Sequence, residues 1–157
     1  MIRVTENLTL ISDLLATTAN EAQRDTETVR LLAVSKKQSV EKILEAAAAG
    51  QRDFGENFVQ EGIDKIQKIA DSRLVWHFIG HLQSNKTRPV AEYFDWVHTI
   101  DKLKTARRLS QQRPDELPPL NICLQVNVDD EAGKSGVSAA GAAELANCLL
   151  YTSDAAD

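Results

Sequence analysis

The stretch 31–50, LLAVSKKQSVEKILEAAAAG, decides the fold because it contains a strand, a turn and a helix in immediate succession. LLAVS at 31–35 is a short run that is apolar on both faces, which is typical of a strand buried in a parallel sheet. VEKILEAAAAG at 40–50 predicts a helix, with Ser39 as its N-cap and Gly50 in the left-handed conformation after its last turn. This stretch therefore forms one complete strand-helix unit.

The same unit recurs toward the carboxyl terminus. The further units are RDFGEN with FVQEGIDKIQKIA, LVWHFIG with SNKTRPVAEYF, WVHTI with KLKTARRLSQQ, and LNICLQVNV with AAGAAELANCLL. Toward the amino terminus, Val4, Leu8, Ile11 and Leu15 share one helical face and predict a helix over 4–23. Strands that alternate with helices of this length indicate parallel pairing through right-handed crossovers, as in a doubly wound sheet or an eightfold barrel.

The turn after the first strand favours the barrel. LLAVSKKQS at 31–39 has no glycine, so it lacks the glycine-rich phosphate turn of a dinucleotide-binding sheet. We therefore predict an α/β fold that is a partial (β/α)8 TIM barrel, with about five of the eight units present, in a domain over 1–150.

Composition excludes several classes of function. The 157 residues are 43% hydrophobic, enough for one domain, and the net charge of −5 with scattered basic residues argues against nucleic acid as the main partner. Cys123 and Cys148 form no CxxC pair, and His77 and His81 fall where a strand runs into a loop, so neither a disulfide framework nor a metal site is predicted. No apolar run approaches the roughly 18 residues of a membrane span, and we expect a cytoplasmic protein.

Polar residues that follow the predicted strands are the candidates for a functional site, because the reactive face of a parallel α/β fold lies at the carboxyl edge of its strands. Lys36 directly follows an apolar strand and precedes a helix cap, so its amine is expected over the barrel mouth rather than in an ordinary exposed loop. We expect the ammonium of Lys37 and the positive end of the following helix to disfavour protonation of Lys36 and so to leave more of the neutral amine that attacks aldehydes. The other candidates at this edge are Glu56, Asn57, His81, Gln83, Asp101, Asn127 and Asp129.

Five segments carry a resemblance to a known family. They are AVSKK at 33–37, FGENFVQEG at 54–62, WHFIGHLQSNK at 76–86, FDWVHTID at 94–101 and LQVNVDDEAGKSG at 124–136. In order and spacing they resemble the YggS/PROSC family of pyridoxal-phosphate homeostasis proteins. The resemblance implies a barrel similar to the alanine racemase N-terminal domain, with pyridoxal 5′-phosphate held on Lys36 as an internal aldimine. It also implies that Asn57 lies near the cofactor and that Lys134 takes part in cofactor handling.

The function that the resemblance implies is intracellular pyridoxal-phosphate homeostasis, in which the protein binds the cofactor, restrains its aldehyde and delivers it to apo-enzymes. No reaction is established for the family, and a lone barrel has no second domain to supply an opposing acid or base. One alternative is a racemase-like enzyme on the same barrel, with Lys36 as a proton carrier. Another is an aldolase-type barrel, in which Lys36 forms a Schiff base with substrate and needs no cofactor.

The strand-helix pattern stops near Leu150, whereas the family continues for three more units. We therefore expect YTSDAAD at 151–157 to be a non-native tail that follows a truncation. The phosphate-binding loops of such barrels usually follow strands seven and eight, so cofactor affinity is expected to be weak.

Five strands cannot close a barrel, and the first and fifth strands would present unpaired edges. We expect the 157-residue chain to be poorly stable or to self-associate. Size-exclusion chromatography combined with urea unfolding measures both properties. A monomer that unfolds cooperatively would contradict this expectation.

Overall fold

The computed structural model describes residues 4–129 and 131–152. Within that part, every predicted strand-helix unit is present. The elements are α1 Val4–Glu21, β1 Ala33–Val34, α2 Val40–Ala48, β2 Asp53–Glu56, α3 Val59–Ile69, β3 Val75–Phe78, α4 Thr87–Tyr93, β4 Trp96–Ile100, α5 Leu103–Gln112, β5 Asn121–Leu124 and α6 Ala139–Thr152. Short 3-10 turns occur at Thr26–Thr28 and Ser84–Lys86.

The strands form one five-stranded sheet in the order β1-β2-β3-β4-β5, and all neighbouring pairs are parallel. Successive helices contact one another from α1 to α6, so they form one layer on one face of the sheet. In a doubly wound sheet the strand order reverses at a switch point and helices cover both faces. The sequential order therefore confirms the predicted partial barrel.

The two faces of the sheet differ in character because successive side chains of a strand point to opposite sides. The helix-facing side carries the apolar core, in which Phe54, Phe78 and Val97 are at most 1% exposed. We call the opposite side the inner face; there a Cβ on Gly55 would lie 3.5 Å from Leu32 and 3.0 Å from Ile79. The helix layer thus buries one side of the three central strands, β2, β3 and β4.

Local details differ from the expectations at two points. Strand β1 spans only Ala33–Val34 of the predicted 31–35, and Ser39 occupies the N-cap of α2 without a capping hydrogen bond from its side chain. Gly50 adopts φ +103° after α2, which confirms the predicted left-handed residue.

Residues 151 and 152 of the predicted tail belong to α6, and 153–157 lie outside the described residues. The boundary after residue 150 stays a prediction. Among the described residues, we find no helix whose length and hydropathy would let it cross a membrane.

Gly62 lets α3 pack closely on the fully buried ring of Phe94. A Cβ at position 62 would lie 2.6 Å from Phe94 Cζ. We expect Gly62→Ala to lower the free energy of unfolding by about 1–3 kcal/mol, because overpacking outweighs the better helix propensity of alanine.

Urea denaturation measures this change against Gly141→Ala in α6. A Cβ at position 141 would meet only the hydroxyl of Ser138 at 3.2 Å and the side chain of Val137 at 3.8 Å. This control should cost less than Gly62→Ala, because the hydroxyl of Ser138 can move away from a new methyl group more easily than the buried ring of Phe94. Equal destabilisation by the two variants would show that close packing at Gly62 is unimportant.

Candidate functional site

Lys36 lies directly beyond β1, at the carboxyl edge of the sheet. Val34 pairs with Gly55, so the register places Lys36 and Asn57, each two residues further on, at the same edge. The ladder continues to Ser35, whose N–H donates to the Gly55 carbonyl at 2.9 Å. The side chain of Lys36 is exposed there. The structure thus places Lys36 at the same edge of the sheet as Asn57, with an exposed side chain.

Asn57 lines a cavity of about 410 Å³ at the carboxyl ends of β2 and β3, together with Gly80 and His81. Its side-chain oxygen Oδ1 is buried and has no hydrogen-bond partner among the described residues. A Cβ on Gly80 would lie 2.0 Å from the carbonyl oxygen of Asn57, so only glycine allows the two backbone segments to lie this close together. Asn57 therefore lines the cavity and has a buried side-chain oxygen without a protein partner among the described residues.

A second cavity of about 450 Å³ lies beyond β3, β4 and β5 and is lined by His81, Asn127 and Lys134 among others. His81 lines both cavities, which makes them neighbours. Lys134 is exposed and pairs with Glu131, with 2.5 Å between Nζ and Oε1. This second cavity thus has one cation whose nearest partner is a carboxylate on its own loop.

Most of the predicted site residues line one of these two cavities. Asn57, His81 and Gln83 line the first cavity, and His81, Asn127, Asp129 and Lys134 line the second. Among the described residues, Lys36 and Asp101 line neither of these two cavities.

Glu56 does not lie at the mouth of the barrel, so that expectation was wrong. Its side chain turns to the helix side, because it alternates with Gly55 along β2, and it is fully buried. Oε1 of Glu56 accepts hydrogen bonds from Ser35 Oγ at 2.6 Å and from Lys65 Nζ at 2.8 Å. Glu56 therefore belongs to a buried polar network beneath the turn that carries Lys36.

Lys65 of α3 is the centre of that network. Its side chain is 8% exposed, and Nζ donates to the Ser35 carbonyl at 2.8 Å, to Glu56 and to Glu61 Oε1 at 2.6 Å. Hydrogen bonding from Lys65 lowers the pKa of Glu61. An ammonium has three protons to donate, so these three acceptors saturate Lys65.

Sequence reasoning missed Lys65. Its place on the buried side of α3, three residues after Gly62 and four before Ile69, is the signal that would have found it.

The turn after β1 is itself strained. Lys37 adopts φ +59°, and such a conformation costs a non-glycine residue about 1–3 kcal/mol. Glu61 Oε1 accepts from the N–H of Lys37 at 2.5 Å, and the Ser35 carbonyl accepts from the N–H of Gln38 at 3.0 Å. These contacts stabilise the left-handed conformation of Lys37.

A second network lies on the inner face, nearer the amino ends of the strands. His77 Nε2 lies 3.0 Å from Asp53 Oδ1, and His77 Nδ1 lies 2.9 Å from His98 Nε2. Since a carboxylate can only accept, neutral His77 donates from Nε2 and accepts at Nδ1 from His98. The ring of Trp96 stacks on His77 at a centroid distance of 5.6 Å. His77 thus contacts Asp53 and His98, while His81 lies at the carboxyl edge.

Burial lowers the pKa of both His77 and His98, and the proximity of His77 lowers the pKa of His98 further. The unfolded chain therefore binds protons more readily at these two positions. Their contribution to stability is complete above the ordinary histidine pKa of about 6.5 and is lost as pH falls through the lower folded values.

We expect the free energy of unfolding to decrease as pH falls from about 7 to 5, and the decrease to be smaller in His98→Gln. Urea unfolding across this pH range measures both slopes. Identical slopes in the two proteins would show that the His77–His98 contact does not contribute to the pH dependence.

A single-layer parallel sheet in sequential order, with polar cavities at its carboxyl edge, defines a protein of the α/β-barrel class. The family model for the N-terminal domain of alanine racemase matches residues 12–153. The chain therefore belongs to the alanine racemase N-terminal domain family, and its predicted membership of the YggS/PROSC group is confirmed.

The relatives agree with this assignment. The chain is 56% identical over 136 residues to the pyridoxal phosphate homeostasis protein of Pseudomonas aeruginosa, covering 87% of this chain and 59% of that protein. It is 53% identical over 146 residues to the Escherichia coli K12 protein of the same name, covering 91% and 62%. The chain thus spans about three-fifths of the length of these curated relatives.

Solved structures show the same architecture. PipY of Synechococcus elongatus with pyridoxal phosphate bound is 38% identical, with a TM-score of 0.67 over 85% of this chain and 62% of PipY. Alanine racemase of Corynebacterium glutamicum is 16% identical, with a TM-score of 0.57 over 77% of this chain and 35% of the racemase. The likeness to the racemase concerns the fold alone.

Proposed function

We propose that this protein binds pyridoxal 5′-phosphate on Lys36 and acts in intracellular pyridoxal-phosphate homeostasis. The observation that carries the proposal is the position of Lys36, directly beyond β1 at the carboxyl edge of the sheet, the edge at which Asn57 follows β2. The relatives named pyridoxal phosphate homeostasis protein and the structure of PipY with the cofactor bound support it.

The residues at this edge suit the cofactor. Asn57 lines the cavity at the carboxyl ends of β2 and β3 and would lie near the bound cofactor. Lys134 brings a cation to the neighbouring cavity and would assist in cofactor handling. The cofactor supplies an aldehyde and an electron sink when bound.

Lys36 would hold the cofactor covalently. The neutral amine adds to the aldehyde carbon, a carbon–nitrogen double bond forms, and the aldehyde oxygen leaves as water. The bond is reversible, because water can add back and release both partners. A reversible bond suits a protein that stores and releases a reactive aldehyde.

The proposed role is that of a carrier rather than an enzyme. Resemblance to alanine racemases lies at 16% and 20% identity and extends to the fold only, so it does not favour the racemase alternative. Apo-enzymes as recipients of the cofactor, and the cytoplasm as the location, stay predictions. Neither nucleic acid nor a membrane is a partner in this proposal.

The visible spectrum of the protein incubated with pyridoxal phosphate tests the proposal. We expect a yellow protein whose colour is abolished in Lys36→Ala, because the attacking amine is gone. The matched control is Lys37→Ala, which removes the neighbouring amine and keeps the backbone N–H that Glu61 binds; it should stay yellow.

Colour that survives in Lys36→Ala would refute covalent binding at this residue. A colourless protein that borohydride traps only in the presence of a carbonyl substrate would instead support the aldolase-type alternative.

A further inference from the structure

The backbone groups that flank Lys36 are held by side chains of α3. The carbonyl of Ser35, just before Lys36, accepts from Lys65 Nζ at 2.8 Å. The N–H of Lys37, just after Lys36, donates to Glu61 Oε1 at 2.5 Å. Lys65 and Glu61 are joined by an ion pair of 2.6 Å. The ion pair of Lys65 and Glu61 therefore bonds the backbone on both sides of Lys36, the residue that the proposed function requires.

The ammonium at the centre of this connection is buried, and all three of its donors are in use. Nζ of Lys65 uses its three donors on Ser35, Glu56 and Glu61, and the residue is 6% exposed. Ser35 is held a second time, because its hydroxyl donates to Glu56 at 2.6 Å. The backbone before Lys36 is thus attached twice to the buried Glu56–Lys65 pair.

Two adjacent amines compete for an aldehyde at this edge, those of Lys36 and Lys37. Both residues are exposed, so exposure does not discriminate between them. The two lysines differ in backbone conformation, because the contact with Glu61 holds Lys37 at φ +59°. A fixed turn holds the two amines in one arrangement relative to the sheet edge, whereas a mobile turn would let either amine reach the same aldehyde.

We propose that Lys65, acting with Glu61, is a positioning residue that fixes the turn after β1 so that Lys36, and not Lys37, presents its amine to the aldehyde. The inference rests on the proposed function and adds the selectivity of that site. Lys65 itself takes no part in bond formation, since its donors are all occupied.

The test measures which lysine is modified. The protein is incubated with pyridoxal phosphate and reduced with borohydride, which converts the imine to a stable secondary amine. Tandem mass spectrometry of the digested protein then gives the ratio of label at Lys36 to label at Lys37. Circular dichroism reports whether each variant is folded.

The first variant is Glu56→Gln/Lys65→Met, which removes both buried charges together, because Lys65→Met alone would leave the Glu56 carboxylate buried without its cation. We expect the ratio of label at Lys36 to label at Lys37 to fall about tenfold or more, as follows from a misplacement of roughly 1 Å. The matched control is Lys68→Met, an exposed lysine of the same helix, which should keep the original ratio.

The second variant, Glu61→Ala, releases the N–H of Lys37 and leaves Lys65 bound to Glu56 and Ser35. The Glu61 side chain is 28% exposed, so this variant disturbs the core less than the double variant does. If the double variant is unfolded, Glu61→Ala alone tests the positioning role. Its ratio should also fall. Asp64→Ala is the matched control, because Asp64 is an exposed carboxylate of α3 that bonds Gln60.

The outcomes separate the two proposals. Absence of label at Lys36 in the unsubstituted protein would overturn the proposed function, and the inference with it. Label at Lys36 with the original ratio in folded Glu61→Ala, or in the folded double variant, would overturn only the positioning role.

Discussion

The ammonium of Lys65 is the constraint on which the carboxyl edge of this sheet depends. It is buried, so it must find acceptors inside the protein, and it finds them on β2, on α3 and on the backbone that leaves β1. A buried ion pair is not in itself a source of stability, because desolvation opposes the attraction between the charges. Its effect is specific geometry, since the acceptors on β2 and on the backbone after β1 reach Lys65 only when α3 lies in this position.

That geometry agrees with the packing around it. Gly62, one turn before Lys65, brings α3 against Phe94, and the same face of the helix lies over the side chain of Glu56. The charged group and the apolar contact therefore require the same placement of α3. Agreement between packing and polar contacts favours a single native arrangement.

The sequential strand order also explains how the candidate site is laid out. Each strand contributes its own end to the edge, so Lys36 of the first unit and Lys134 of the last lie at opposite sides of the sheet. Asn57 and His81 fall between them and line the cavities there. A ligand that used both lysines would therefore have to span the distance between the first and the last unit of the sheet.

The sequence by itself determined the alternation of strands and helices, the parallel class and the place of Lys36 after the first strand. These properties follow from local periodicity and from the order of residues along the chain. The tertiary structure alone decided that the strands run in sequential order, that Glu56 turns toward the helices, that Lys65 is buried, and that Asp53, His77 and His98 meet. Those properties depend on which side chains from distant segments come together, and periodicity within one segment contains no information about its partners.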